Sequence, residues 1–283
     1  MTTPADCQGA KELNTVDAWR SERRGTYYLF LPANADLSAL TLHFKGTKKL
    51  LIDGKPVSSG AAAALPSVGE SVRLATDHGK FTLHVMRSEN LPAVFINTSS
   101  GSLDSIHHRK DQEEPGSMLM VAADGSVLYN GRLTQIKGRG NWTFSQVKKP
   151  YQIKLAVPTD LCGLGKAKTW ILLANHYDNS LLRNKISLAL ADAAGLAFTS
   201  KTQAVDLYLN NEYRGSYLLC EKIQIGDSRV EIRDLEKATE KLNAEELSDY
   251  RAFRKQYGKG SGKGRMIPNE PADVSGGYLL ELE

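Results

Sequence analysis

The chain has 283 residues, enough for two separately cored domains, and its 41% hydrophobic and 24% charged content is that of a globular protein rather than a disordered or fibrous one. Lys and Arg exceed Asp and Glu by 36 to 32, a net charge of +4 that suits anionic small ligands and lacks the concentrated basic stripe of a nucleic-acid binder. Cys7, Cys162 and Cys220 stand far apart with no C-x-x-C pair, which argues against a disulfide framework or a zinc site, and no apolar run approaches the roughly 20 residues that span a bilayer.

Residues 1–24 are polar and read as a flexible lead-in without a secretory leader. From residue 25 to residue 90, short β-rich runs (YYLFL, LTLHF, KLLI, VRLA, FTLHV) alternate with Gly, Pro, Asp and Asn at about ten-residue spacing, which predicts a small antiparallel β-sandwich. Asp53-Gly54 and Asp77-His78-Gly79 supply its turns.

A second domain is expected over 91–283, opening with the strand AVFIN. A polar loop follows, holding His107 and His108, which with only Asp111 nearby predict a solvated loop rather than a metal site. The run SMLMVAADGSVLYNG predicts a hairpin turning at Asp124-Gly125, and strands at Leu133–Lys137 and Tyr151–Leu155 flank the glycine-containing bend Gly138-Arg139-Gly140. Apolar residues at helical spacing predict a helix from Ser180 to Ala194, capped by Asp178 or Ser180, whose apolar face packs on the sheet. The run VDLYLNNEYRGSYLLCEKI is then a hairpin turning at Asn210-Asn211, with Cys220 a small buried side chain. Surface helices over 234–257, a mobile GKGSGKG loop at 258–264 and a strand at 277–282 complete the reading, and the strand runs to the last residue as though the natural protein continued.

The chemistry concentrates in IKGRGNWTFSQVKKPYQIKL, residues 136–155, where two glycines sit among Arg139, Lys148, Lys149 and Lys154. Small residues let backbone amides approach a polyphosphate, and a guanidinium fork with ammonium groups neutralises it. Neither standard phosphate fingerprint is met: Thr143 stands where G-x-G-x-x-G requires its third glycine, and GKGSGKG is one residue short of a P-loop. His176 and Asp178 resemble an acid–base pair but are explained as a strand-end residue and a helix start.

In order, IKGRGNWTF, KKPYQIKL, WILLANHYDNSLLRNKISLAL, VDLYLNNEYRGSYLLCEKIQI and GGYLLELE resemble the motif series of the CotH (spore-coat) kinase-like family, over about residues 92–283. The family commonly reads Arg-Gly-Asn-Ser-Thr-Trp where this chain has Trp142 and Thr143 directly after Asn141. The resemblance implies an α+β fold: a kinase-like β-rich lobe with packed helices, following the small sandwich and truncated before the C-terminal lobe. It implies ATP and Mg²⁺ as cofactors and a Ser or Thr hydroxyl of a partner protein as acceptor. Arg139, Gly140, Lys148 and Lys149 would lie at the phosphates, Arg183 would hold the following helix near them, and backbone groups at Glu221 would hold the adenine. The catalytic and Mg²⁺-binding carboxylates, in the family's Trp-Asp-x-Asp motif, are expected outside this chain, because none of Trp19, Trp142 or Trp170 precedes an Asp; no turnover is expected from these residues alone. The competing expectation is a binding protein of the cell surface, adhesive or glycan-associated, that keeps the fold as a scaffold.

Overall fold

The computed structural model describes residues 15–21, 25–62, 65–235 and 279. These fall in two compact units divided after Lys222, and the first unit is β-rich and built from two sheets.

The first sheet comprises β1 (Trp19–Arg20), β2 (Thr26–Leu31), β3 (Leu50–Ile52), β4 (Lys55–Val57), β5 (Ser71–Thr76) and β6 (Gly79–Arg87), in the order β1-β2-β6-β5-β3-β4. Alternation places Leu29, Leu31, Val72, Leu83 and Val85 in one apolar layer, as period-2 patterning requires. Asp53 and Gly54 both adopt positive φ, 46° and 82°, which closes the tight β3–β4 turn. This is a single mixed sheet rather than the expected antiparallel sandwich, because β2 runs parallel to β6, Tyr28 opposite His84. Strand composition signals an extended chain and is silent on direction; the long excursion between β2 and β6 is what permits a parallel return. LTLHF forms only the isolated bridge Thr41–Ala62, with Leu40 and Leu42 packed against the sheet's core. Thr15–Ser21 of the lead-in is tied down: the Asp17 amide donates to the Asn211 carbonyl at 2.8 Å, and Trp19 pairs with Tyr28 in β1–β2.

The second sheet closes on itself. Its strands are β7 (Ala93–Thr98), β8 (Glu113–Val121), β9 (Val127–Gly138), β10 (Tyr151–Asp160), β11 (Lys166–Leu173), β12 (Thr202–Leu209) and β13 (Glu212–Glu221), and the barrel order is β10-β11-β13-β12-β7-β8-β9. β9 is one twelve-residue strand that joins the hairpin arm to the strand expected at Leu133–Lys137. Closure removes the edges that an open sheet would expose. Ile96, Met118, Leu133, Ile136, Ile153, Trp170, Leu172, Val205 and Leu219 point inward and are sealed from solvent, and the short helix α1 (Asp104–His108) adds the fully buried Ile106. Both hairpin turns form where expected: Gly125 takes φ 87°, and Asn210 and Asn211 take 48° and 71°.

Aromatic contacts join the two sheets. Phe30 of β2 stacks on Tyr213 of β13 with centroids 4.6 Å apart, and the Tyr208 hydroxyl donates to the Phe30 carbonyl at 3.1 Å.

Helix α2 spans Arg183–Ala193, within the Ser180–Ala194 expectation, but its apolar residues are not buried in the first unit. Ile186 and Leu190 are 59% and 68% exposed, and no residue of the helix is buried. The barrel's inner face is already filled by its own strands, so helical spacing correctly reported a helix and wrongly implied the sheet as its partner.

In the second unit, Ile225 and Val230 form an isolated parallel bridge. The expected helices over 234–257, the loop at 258–264 and the strand at 277–282 lie outside the described residues, save Asp234, Leu235 and Leu279. Among the described residues no helix is long and apolar enough to cross a membrane.

Candidate functional site

Two segments converge at the end of the barrel. One is the bend from β9 to β10, and the other is the polar run from β11 into α2.

Glycine is required in the first segment by geometry. Gly138 packs so closely that a Cβ there would stand 2.7 Å from Phe144 Cδ2 and 3.0 Å from the Ile106 carbonyl oxygen. Gly140 has φ +85°, a left-handed conformation that other residues adopt at a cost, and it faces the Thr143 hydroxyl. The chain then makes one 3-10 turn, Trp142–Ser145, and re-enters the sheet at Tyr151, opposite Gly138. Both neighbouring lysines help to hold this bend. The Lys149 ammonium donates to the carbonyls of Phe144 (2.7 Å) and Gln146 (3.2 Å) and lies 4.8 Å from the Phe144 ring centroid. The Lys148 ammonium crosses to β13, donating to the Ser216 carbonyl at 2.6 Å above the Tyr217 ring, and burial lowers its pKa from the usual lysine value.

Asp178 organises the second segment. One carboxylate oxygen accepts from the Ser180 amide (3.0 Å) and hydroxyl (2.6 Å); the other accepts from the Arg183 amide at 2.7 Å, at the first turn of α2. These hydrogen bonds, with the nearby Arg183, hold the carboxyl below the ordinary aspartate pKa. Asn175 donates its side-chain N–H to the Leu181 carbonyl (3.1 Å) and accepts from the Asn184 amide group (2.8 Å). Asn175 and Leu181 themselves sit at positive φ, 48° and 58°. A leucine in that region is strained, and the Asp178 and Asn175 hydrogen bonds on either side supply the constraint that keeps it there.

Between the two segments lies a pocket of about 280 Å³, lined by Arg139, Thr143 and Pro150 on one side and by Leu173 to Asp178, Arg183 and Asn184 on the other. Arg139 is half-buried and its guanidinium makes no hydrogen bond or ion pair among the described residues; burial lowers its pKa, and the Cys220 thiol acts in the opposite direction. Arg183 is largely exposed, its Nε 3.6 Å from Asp178 Oδ1. Two guanidinium groups against one carboxylate, itself engaged by three donors, leave the pocket cationic. An anion entering it would relieve an uncompensated, partly desolvated charge.

Of the residues singled out in the sequence, Arg139 and Arg183 line this pocket; Gly140 does not, and lies against Thr143, which does. Lys148 and Lys149 direct their ammonium groups to backbone carbonyls. Glu221 lies on β13 between β11 and β12, its carboxylate accepting from the Lys201 amide at 2.6 Å and its own amide donating to the Lys201 carbonyl. Asn175, Tyr177, Asn184 and Pro150 were not singled out in the sequence, although the polar island NHYDN between an apolar strand and a helix was a signal for them. His107 donates or accepts at 2.7 Å with the Tyr151 hydroxyl in the barrel wall.

The donor set suits a polyphosphate. It does not suit Mg²⁺: among the described residues Asp178 is the one carboxylate lining the pocket, and no group of three or more His, Cys, Asp or Glu side chains at metal-ligating distance occurs.

The family model described as "CotH kinase protein" matches residues 136–276, a span that contains both segments of the pocket. No curated protein matches the chain.

Proposed function

Residues 136–276 make this chain a member of the CotH kinase family, and from that premise we propose that it binds the phosphates of ATP in the pocket between the β9–β10 bend and the start of α2. In this reading the barrel is the small lobe of a kinase-like α+β fold, and the whole protein transfers a phosphoryl group to a Ser or Thr hydroxyl of a partner protein. Mg²⁺ would be held by carboxylates other than those described.

The observation that carries the reading is Arg139. A half-buried guanidinium with no counter-ion among the described residues, sharing a pocket with a second arginine, is arranged for an anionic ligand. Arg139 would grip the phosphates, and Arg183, held at the helix start by Asp178, would close on them from the opposite wall. Gly140, at positive φ against Thr143, sets the turn that carries Arg139. Lys149 would act at one remove, by fixing the bend that presents Arg139. Bound ATP supplies the transferable phosphoryl group; these residues bind and orient it.

Thermal unfolding with ATP tests the reading. At one hundred times its dissociation constant a ligand stabilises by about 2.7 kcal/mol, a rise of roughly 5 to 10 °C for a fold of this size. Arg139→Ala, which removes a charge-assisted hydrogen bond, should weaken binding about 10- to 150-fold. A flat response to ATP and to inorganic tripolyphosphate would refute it.

A further inference from the structure

A second cavity, of about 490 Å³, lies where the first sheet meets the barrel. Its lining residues run from Thr15 to Val121, and none of them falls within residues 136–276. Leu29, Leu31 and Leu83 of the first sheet and Phe95, Leu119 and Val121 of the barrel line it. Phe95 and Leu119 pair across β7 and β8, and because their chain neighbours Val94, Ile96, Met118 and Met120 fill the barrel, alternation turns both outward. Leu40 and Leu42 complete the apolar surface from a run that makes only the isolated bridge Thr41–Ala62. On the remaining side Thr15–Ala18 is anchored: Val16 packs against the cores of both sheets, and the Asp17 amide donates to the Asn211 carbonyl at 2.8 Å. Protein interiors keep few voids larger than a water molecule. A cavity of this volume, apolar over most of its lining and set at the junction of two layers, has the size and composition of a small-ligand site.

The charge around it is of one sign. Asp17 and Asp36 line the cavity with the polar side chains of Asn34, Thr41 and His43, and among the described residues no lysine or arginine does, in a chain whose net charge is +4. Asp36 Oδ1 accepts from the Ser38 hydroxyl (2.6 Å) and amide (2.9 Å), which hold the carboxyl below the ordinary aspartate pKa and so ionised at neutral pH. An aliphatic body would regain the dispersion contacts that an unfilled apolar space forfeits, and a cationic head would meet carboxylates with no competing cation beside them.

We infer that this cavity binds a small single-chain amphiphile with an ammonium-type head, its aliphatic body against the leucines and Phe95 and its head at Asp17 and Asp36. The site stands independently of the phosphate-binding reading of the other pocket.

Calorimetric titration of the full chain at low ionic strength with octylammonium chloride, octanol and sodium octanoate keeps the body constant and varies the head. Octylammonium should bind about 2- to 30-fold more tightly than octanol, the contribution of two exposed ion pairs, and octanoate more weakly than either. Asp17→Asn/Asp36→Asn should bring octylammonium to within about twofold of octanol and leave octanol unchanged. Ala39→Phe and Leu119→Trp, which fill the cavity from different sides, should each abolish binding of both compounds, with the melting temperature of each variant showing that it is folded. Failure of all three compounds to bind the natural protein, or octanoate binding as tightly as octylammonium, would overturn the inference. So would binding that survives in a filling variant that melts as the natural protein does. A dimer in sedimentation that Leu119→Trp dissociates would give the cavity to a second copy of the chain, and would overturn it as well.

Discussion

Replacing Gly138 by alanine should destabilise the barrel end out of proportion to one added methyl group. Gly138 has no positive φ, so the cost is steric alone: the new Cβ would meet the Phe144 ring and stand 3.0 Å from the backbone oxygen of Ile106. The backbone oxygen belongs to α1 and cannot easily yield, so the ring must move. Phe144 is also the aromatic partner of Lys149, whose ammonium holds the carbonyls of Phe144 and Gln146. Overpacking costs about 1–3 kcal/mol, and a lost cation–π contact adds about 0.5–1 kcal/mol. The sum, about 1.5–4 kcal/mol, corresponds to a fall of roughly 3 to 16 °C in melting temperature followed by circular dichroism. Phe144→Leu should be mildly destabilising alone, yet Gly138→Ala/Phe144→Leu should melt above Gly138→Ala, because the smaller side chain makes room for the Cβ. A Gly138→Ala protein that melts within about 1 °C of the natural one, or a double variant no better than the single, would refute this account of the bend.

Further outcomes follow from the same contacts. Lys149→Met should lower the melting temperature by about 3 to 12 °C, since hydrogen bonds from a charged donor contribute about 1.5–3 kcal/mol; an unchanged melting curve would show that those carbonyl contacts are incidental. Phe30→Ala removes the ring stacked on both Tyr28 and Tyr213, about 0.5–1.5 kcal/mol for each pair, so amide exchange should quicken in β2 and near Tyr208; unaltered exchange would count against the aromatic junction between the sheets. His107 has a folded-state pKa below the usual histidine value, chiefly through burial and then through Arg214 and Lys149. The unfolded chain therefore takes up the proton first, and stability present above about pH 6.5 is lost as pH falls through the lower folded-state value. His107→Gln should flatten this part of the stability curve, and an identical slope in both proteins would exclude His107 as its source. Tyr151 works in the opposite direction, since burial raises its pKa to about 12 and the barrel should lose stability as pH rises from about 10 toward that value.

Much of this organisation is local chemistry and could be read directly from residue order. Asn210-Asn211 and Asp124-Gly125 make their turns because those residues tolerate positive φ wherever they occur. Alternating apolar residues specify the inward faces of β7 to β13; the expected cap is displaced, since Leu182 rather than Asp178 or Ser180 takes the N-cap position of α2, and Asp178 instead accepts from the Arg183 amide from five residues upstream. The composition of the Gly138–Pro150 bend, basic and rich in small residues, likewise marks a place where an anion could approach.

What required the folded chain is everything that depends on a distant partner. Arg139 and Arg183 are 44 positions apart in sequence, and the antiparallel pairing of β10 with β11, Tyr151 opposite Leu172, brings the β9–β10 bend beside the run into α2. The family resemblance puts Arg139, Lys148 and Lys149 alike at the phosphates; the fold divides them, sending the two ammonium groups to backbone carbonyls and leaving Arg139 in the lining of the pocket, which Arg183 shares. The parallel run of β2 beside β6, and the exposure of the apolar residues of α2, are of the same kind. Period and turn chemistry arise from interactions a few residues apart, whereas strand direction, helix partners and the unpaired state of a charge are set by which surfaces remain once the rest of the chain has packed.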